Sequence, residues 1–404
     1  MTEQAVWTVN KILQWTQQYF SGKGLENPRL DAEVLLCDVL GCRRIDLFMR
    51  LQQELLPDEL KRYRDYVLRR AAWEPLAYII GRKAFLQWEF MVTPAVLIPR
   101  PETELLVEKI VQSCTGKSLT QLEKEAFWRK KAEEAKRAAE KVKAVSAEKL
   151  KEETDPEKAA VWQQEVADRE AVAVQAAERA GLPRQKSYTE KWLEQKEPLQ
   201  AADSKSANGT ADGAPEENSK TVRPGPDILD MGTGSGAILL SLLKLLPDSR
   251  GLAVDISPEA LVVAKENAAL LGVGGRTWFL QSDLWSRVPP GAQFDIVVSN
   301  PPYIPAEVIG TLAKDVQKEP RLALDGGADG LAAYRKITAG MPQHIKPGGL
   351  AAFEVGMGQG EAVAALCCEQ GFTVTAVVKD YAGIGRMVFA ARPDSIKAEW
   401  VMTL

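Results

Sequence analysis

Histidine is nearly absent from this chain: His344 is the only one in 404 residues. A single imidazole cannot build a zinc site of the usual kind or a Ser-His-Asp triad. His344 precedes Ile345-Lys346-Pro347-Gly348-Gly349, where a surface or helix-end position is expected, and no metal is expected. Cysteine is also scarce. Cys37, Cys42, Cys114, Cys367 and Cys368 form no C-x-x-C pair, and their odd number points to reduced thiols in a cytoplasm. A basic excess is missing: the net charge is -4, so no global field draws in nucleic acid. No apolar run reaches the roughly eighteen residues of a membrane span; the leucine-rich stretch after Gly236 is short and carries Lys244. The start, Met1-Thr2-Glu3-Gln4, lacks a basic segment followed by an apolar one, so no signal peptide is expected. What remains is a soluble protein with room for two or three domains.

Against these absences, Asn300-Pro301-Pro302-Tyr303 stands out. It follows the apolar run Phe294-Asp295-Ile296-Val297-Val298-Ser299, which reads as a buried strand. The Asn side chain offers a carbonyl acceptor. Proline has no N–H and a fixed φ, so this backbone is stiff and its carbonyls lie outside a sheet ladder. Two adjacent acceptors can hold both hydrogens of one planar NH2 group, and a Tyr ring can stack on the flat group that carries it. The arrangement suits transfer to an amide or exocyclic amine nitrogen.

A second device is Asp227-Ile228-Leu229-Asp230-Met231-Gly232-Thr233-Gly234-Ser235-Gly236. A short strand runs into three glycines at alternate positions and then into a helical run, so a ligand can approach the backbone closely. The spacing is neither G-x-G-x-x-G nor a P-loop. The next strand ends at Asp255, about twenty residues on, where a carboxylate can take both hydroxyls of a ribose. Another ends at Asp283, where a carboxylate can accept from an adenine amino group. These parts describe a nucleoside site with no obvious positive charge for phosphates. S-adenosylmethionine (AdoMet), with its adenosine, sulfonium and amino-acid tail, fits. The expected cofactor set is Asp230, Gly232, Thr233, Gly234, Gly236, Asp255, Asp283, Leu284 and Asn300.

The chain divides by pattern. Residues 1–77 read as helices, with a start at Asn27-Pro28, a stop at Gly41 and another start at Pro57. Residues 78–114 read as a hairpin and a connecting helix. Residues 115–225 are rich in Ala, Lys and Glu, then in Ser, Asn, Gly and Pro; long solvated helices are expected first and a flexible linker over 201–226. From 226 to 404, strands and helices alternate. The last two strands, at 372–378 and 386–391, are joined by a short link and imply a terminal antiparallel hairpin. The expected fold class is α/β: a seven-stranded, doubly wound domain, a small helical N-terminal domain and a long charged insertion. The singled-out residues all fall at C-terminal strand edges, where such sheets bind ligands.

The chain resembles the release-factor glutamine methyltransferase family (HemK/PrmC). The resemblance rests on Arg29-Leu30-Asp31-Ala32-Glu33, Ile98-Pro99-Arg100-Pro101-Glu102-Thr103-Glu104, the glycine loop and Asn300-Pro301-Pro302-Tyr303-Ile304-Pro305. It continues through Glu319-Pro320-Arg321-Leu322-Ala323-Leu324-Asp325-Gly326-Gly327 and Lys379-Asp380-Tyr381-Ala382-Gly383-Ile384-Gly385-Arg386. It covers nearly everything except the insertion. It implies an AdoMet-dependent methyltransferase domain and a helical N-terminal domain that helps grip a protein substrate. The implied substrate is the Gly-Gly-Gln glutamine of class 1 peptide chain release factors, in the cytoplasm, without direct nucleic-acid or membrane contact. Arg100 and Glu102 resemble family residues near the substrate channel, with a structural salt bridge as the other reading.

An amide nitrogen is a poor nucleophile, because its lone pair is delocalised into the carbonyl, and no strong base is visible. Positioning and polarisation are therefore the expected devices. The expected catalytic residues are Asn300, Pro301 and Tyr303; Asn300, Pro301, Pro302 and Tyr303 also make up the substrate contacts. Asn300 Oδ1 and the Pro301 carbonyl accept the two amide hydrogens, and Tyr303 walls the side chain. Glutamine methylation of a ribosomal protein would use the same residues. DNA adenine methylation would want a recognition domain and a basic stripe, and a non-catalytic binding protein would show a damaged motif.

Overall fold

The computed structural model describes residues 7–152, 156–180 and 225–404. The chain forms two compact units, Met1–Ser113 with Arg223–Leu404, and Cys114–Val222. In the first, helices α1 (Val9–Gly22), α2 (Pro28–Leu40), α3 (Arg44–Met49), α4 (Pro57–Ala71) and α5 (Leu76–Ile80) pack around Val9, Phe20, Leu35, Leu36, Tyr63 and Val67. Pro28 and Pro57 open their helices because φ is preset and the missing N–H is not needed there. Gly41 ends α2 in the left-handed conformation at φ 58°. The Arg29-to-Glu33 segment is structural. Asp31 is buried and paired with the buried Arg70 at 2.7 Å, while Glu33 accepts from Arg29 at 2.8 Å. Arg70 also reaches Asp315 at 3.4 Å, far along the chain.

Strands β1 (Arg82–Phe85) and β2 (Trp88–Met91) form the antiparallel hairpin, and α6 (Pro101–Thr115) follows. Seven more strands make one sheet: β3 (Asp227–Met231), β4 (Arg250–Asp255), β5 (Thr277–Gln281), β6 (Phe294–Ser299), β7 (Ile345–Glu354), β8 (Val374–Lys379) and β9 (Gly385–Ala391). Their order is β5-β4-β3-β6-β7-β9-β8. All pairings are parallel except those of β9, which runs antiparallel to β7 and β8, so the terminal hairpin lies at the sheet edge. Central strands carry near-continuous apolar runs because helices cover both faces: α9 (Ala237–Leu245), α10 (Pro258–Leu270), α11 (Arg321–Leu324), α12 (Ala332–His344), α13 (Gly360–Glu369) and α14 (Ala398–Met402) connect or flank them. The seven-stranded doubly wound fold expected from sequence is the fold observed.

Some details differ. The third strand stops at Gln281 rather than Asp283, because Ser282 turns the chain. Its hydroxyl donates to the Leu284 carbonyl at 2.7 Å and accepts from the Arg287 amide at 2.9 Å. His344 does end a helix, but it is buried, not on the surface. Its ring stacks on Trp285 at 4.6 Å, and Nδ1 lies 2.8 Å from the Ala292 carbonyl.

The second unit contains α7 (Leu119–Glu152) and α8 (Pro156–Arg179), the long helices expected of the charged segment. They pack on each other through small residues, with Ala132, Ala139 and Ala176 buried. Arg179 sits over the Trp128 ring at 4.7 Å. The linker expected over 201–226 lies, up to residue 224, outside the described residues.

Candidate active site

Register brings the site together. Met231 pairs with Val254 on one side and with Ser299 on the other, and Asp255 pairs with Gln281. The segments that follow four strands therefore leave the sheet side by side, where the strand order reverses about β3. A cavity of about 390 Å³ opens there. Gly232, Thr233, Gly234, Asp255, Asp283, Leu284, Asn300, Pro301 and Pro302 all line it.

The glycine loop is bent by conformation. Gly232, Gly234 and Gly236 have φ of 74°, 54° and 81°, a region that side chains rarely adopt. The Gly232 and Thr233 amides donate to the Val254 carbonyl at 2.8 and 2.9 Å, and the Gly234 amide donates to Asp255 Oδ2 at 2.8 Å. Asp255 Oδ1 accepts from the Ser257 amide at 2.9 Å. Burial pushes the Asp255 carboxyl up, opposed by these amides. Each oxygen keeps a second lone pair. Asp283 is exposed. Beside it, Leu284 is held at φ 49°, a rare conformation for a non-glycine residue, closed by the Ser282 hydroxyl.

Three expected residues do not line the cavity. Asp230 is fully buried beneath the loop, where Oδ2 accepts from the Thr233 hydroxyl at 2.7 Å and Oδ1 has no partner. Burial pushes its carboxyl up to about 7. Gly236 caps α9, and a Cβ there would stand 2.7 Å from Leu240 Cδ1. Tyr303 packs on the core beside the sheet, and burial raises its phenol to about 12.

Asn300 is the chemical centre. Its Oδ1 is buried and has no hydrogen-bond partner. Its Nδ2 donates to Thr103 Oγ1 at 3.4 Å, and that hydroxyl donates to Glu354 Oε2 at 2.5 Å. The loop beyond is braced: Gln359 Nε2 donates to the Tyr303 carbonyl at 2.9 Å. A Cβ on Gly326 would stand 2.8 Å from Tyr303 Cα, so only glycine allows this approach. Arg100 is ion-paired with the buried Glu319, which also accepts from the Ile98 amide at 3.0 Å. Arg100 thus makes the expected salt bridge and also lines the cavity. Glu102 is exposed.

Thr103, Glu354, Gln359 and Ser282 escaped the sequence reading. Thr103 sits inside a quoted motif. Glu354 stands at the end of β7 in the same manner as Asp255 on β4, and that strand-end position is the signal that could have found it. The walls suit AdoMet. They offer carboxylates at Asp255 and Asp283 and an unpaired buried carbonyl at Asn300; of the lining cations, Arg100 is already paired with Glu319.

Residues 11–81 match the family described as "PrmC N-terminal domain", and residues 219–327 match "Methyltransferase small domain". The chain is 34% identical to a release factor glutamine methyltransferase of Moorella thermoacetica, over 96% of this chain and 99% of that one. It is 32% identical to one of Geobacter sulfurreducens, over 96% and 98%. Among solved structures, a ribosomal protein L11 methylase from Lactobacillus delbrueckii subsp. bulgaricus shares 23% identity, over 43% of this chain and 72% of that one, with a TM-score of 0.30. With near-complete coverage of relatives above 30% identity and both domain matches in place, the chain belongs to the release factor glutamine methyltransferase family.

Proposed function

We propose that the chain transfers a methyl group from AdoMet to the side-chain amide nitrogen of the Gly-Gly-Gln glutamine of class 1 peptide chain release factors. The observation that carries this reading is Asn300 Oδ1: a buried carbonyl oxygen on the cavity wall with no partner. An unpaired buried acceptor is costly, and one on a cavity wall can be completed by a donor of a bound ligand. A primary amide supplies such a donor.

Asp255 holds the ribose, Asp283 and Leu284 face the adenine, and the Gly232-to-Gly234 loop takes the amino-acid end; Asp230, Thr233 and Gly236 set that loop. Bound AdoMet supplies an electrophilic methyl on its sulfonium. Asn300 Oδ1 and the Pro301 carbonyl accept the two amide hydrogens of the glutamine. Accepting both aims the nitrogen lone pair out of the amide plane and favours pyramidal character. The proton is lost after transfer, so no strong base is needed before it. Pro302 and Tyr303 keep this backbone stiff, and Tyr303 works through packing and its Gln359-bound carbonyl.

The helical N-terminal segment is the proposed protein-docking part. Its α3 leaves Ile45, Phe48 and Met49 exposed, which supports that reading. Among the described residues no helix is long and apolar enough to cross a membrane. An enzyme acting on release factors works where they do, in the cytoplasm. Mass spectrometry of a class 1 release factor after incubation with the protein and AdoMet tests the function: a methyl on the Gly-Gly-Gln glutamine is expected, and an unmodified factor beside a methylated ribosomal protein would reassign the substrate.

A further inference from the structure

We propose that Thr103 and Glu354 are positioning residues: a hydrogen-bond relay that turns the Asn300 carbonyl toward the cavity when Glu354 is ionised and releases it when Glu354 is protonated. The inference rests on the reading of Asn300 as the acceptor of the substrate amide.

A primary amide has two ends of similar shape and opposite chemistry. Only the carbonyl end can accept from the substrate. Something must therefore fix which end points inward, and the neighbours decide it. Thr103 Oγ1 carries one hydrogen. Ionised Glu354 can only accept, so that hydrogen goes to Glu354 Oε2 at 2.5 Å. The threonine oxygen is then an acceptor, and Asn300 meets it with Nδ2 at 3.4 Å. Oδ1 is left facing the cavity without a partner, as observed.

Protonation of Glu354 reverses the chain. The carboxylic O–H can donate to Thr103 Oγ1. The threonine hydrogen is then free for another acceptor, and a flip of the amide offers it the Asn300 carbonyl. The flipped amide presents NH2 to the substrate NH2, two donors facing each other.

The surroundings set where this happens. Thr103 and Glu102 approach Glu354 from α6, Asn300 from the end of β6, and Arg386 from β9. Tyr334 donates to the Glu354 carbonyl at 2.7 Å from α12, and Tyr303 lies close by. Arg386 is already engaged with Asp380 at 3.4 Å, so no cation is committed to Glu354. Burial, foremost, then Glu102, raise this carboxyl to about 7, while Thr103, Asn300 and Arg386 oppose the rise. Burial thus works against the ionised form of Glu354, the form in which it can only accept from Thr103.

The test uses the full chain with release factor and AdoMet both saturating. Single-turnover rates are measured across a pH range bracketing 7, with AdoMet affinity by calorimetry at each pH. Difference infrared spectroscopy of the parent against Glu354→Gln reads the buried carboxyl directly. The parent rate is expected to rise with pH through the infrared midpoint. Glu354→Gln, which cannot ionise, is expected to be slower and to lose that limb. Thr103→Val is expected to slow transfer on the order of tenfold or more, since small misorientations at a reacting centre are costly, with AdoMet affinity unchanged; Thr103→Ser is expected to restore the rate. A Glu354→Gln variant that keeps the parent limb, or a Thr103→Val variant as fast as the parent, overturns the relay. Asn300→Ala separates the two claims. If it is inactive while the relay variants behave as the parent, only the relay falls. If it turns over normally, the acceptor reading falls and takes the relay with it.

Discussion

The Gly234 amide donates to Asp255 Oδ2 at 2.8 Å, so the glycine loop and the acid at the end of β4 are one unit. Asp255→Ala is expected to weaken AdoMet binding doubly, by removing the proposed ribose contacts and by releasing the loop. Charge-assisted hydrogen bonds are worth about 1.5–3 kcal/mol each, so calorimetry should show affinity reduced by about tenfold or more. Unchanged affinity would contradict the ribose assignment.

Arg100 meets Glu319, whose side chain is 2% exposed. Arg100→Ala leaves that carboxylate buried with only the Ile98 amide as partner. A stability loss of about 2–3 kcal/mol in chemical denaturation is expected, at the lower edge for a broken buried pair because Arg100 itself is partly solvated. Glu319→Gln, which keeps the acceptor for Ile98, is expected to cost less. Equal stability of Arg100→Ala and the parent would show that the pair holds nothing together.

Asp230 lies under the glycine loop with its carboxyl pushed to about 7, chiefly by burial, from an ordinary 3.8. The sign follows. Between those values the unfolded chain has lost this proton while the folded chain keeps it, so this group's contribution favours folding below 3.8 and is lost as pH rises through about 7. Asp230→Asn removes the titration and is expected to flatten the fall in stability over that window. Denaturation midpoints at a series of pH values check it, and an unchanged slope would contradict the assignment.

Helices α7 and α8 of the insertion belong to a compact unit of their own. Loop closure costs grow slowly with length. Replacing residues 118–222 with a short Gly/Ser linker is expected to leave a folded protein that methylates release factor at the parent rate. An AdoMet-binding deletion that no longer modifies the protein substrate would show that the insertion takes part in docking.

The sheet was legible because its strands are apolar runs, several with an Asp or Asn at or just past the end, and the register then carried those ends to one edge. What could not be read is what lies beneath. Asp230 sits at a strand end like Asp255, yet it points into the core rather than the cavity. Thr103 and Glu354 are 251 residues apart and meet only because α6 and β7 pack together. His344 was expected at the surface or at a helix end; it does end a helix, and the flat face of Trp285 gives it a buried place there.

The central claim is that Asn300 accepts the substrate amide, and its most direct measurement pairs single-turnover methyl transfer with calorimetric AdoMet affinity for Asn300→Ala. Removing one positioned acceptor should cost roughly 3 kcal/mol in the transition state, on the order of a hundredfold in rate, while AdoMet affinity stays near the parent's. Near-normal turnover of Asn300→Ala on the release factor would contradict the mechanism.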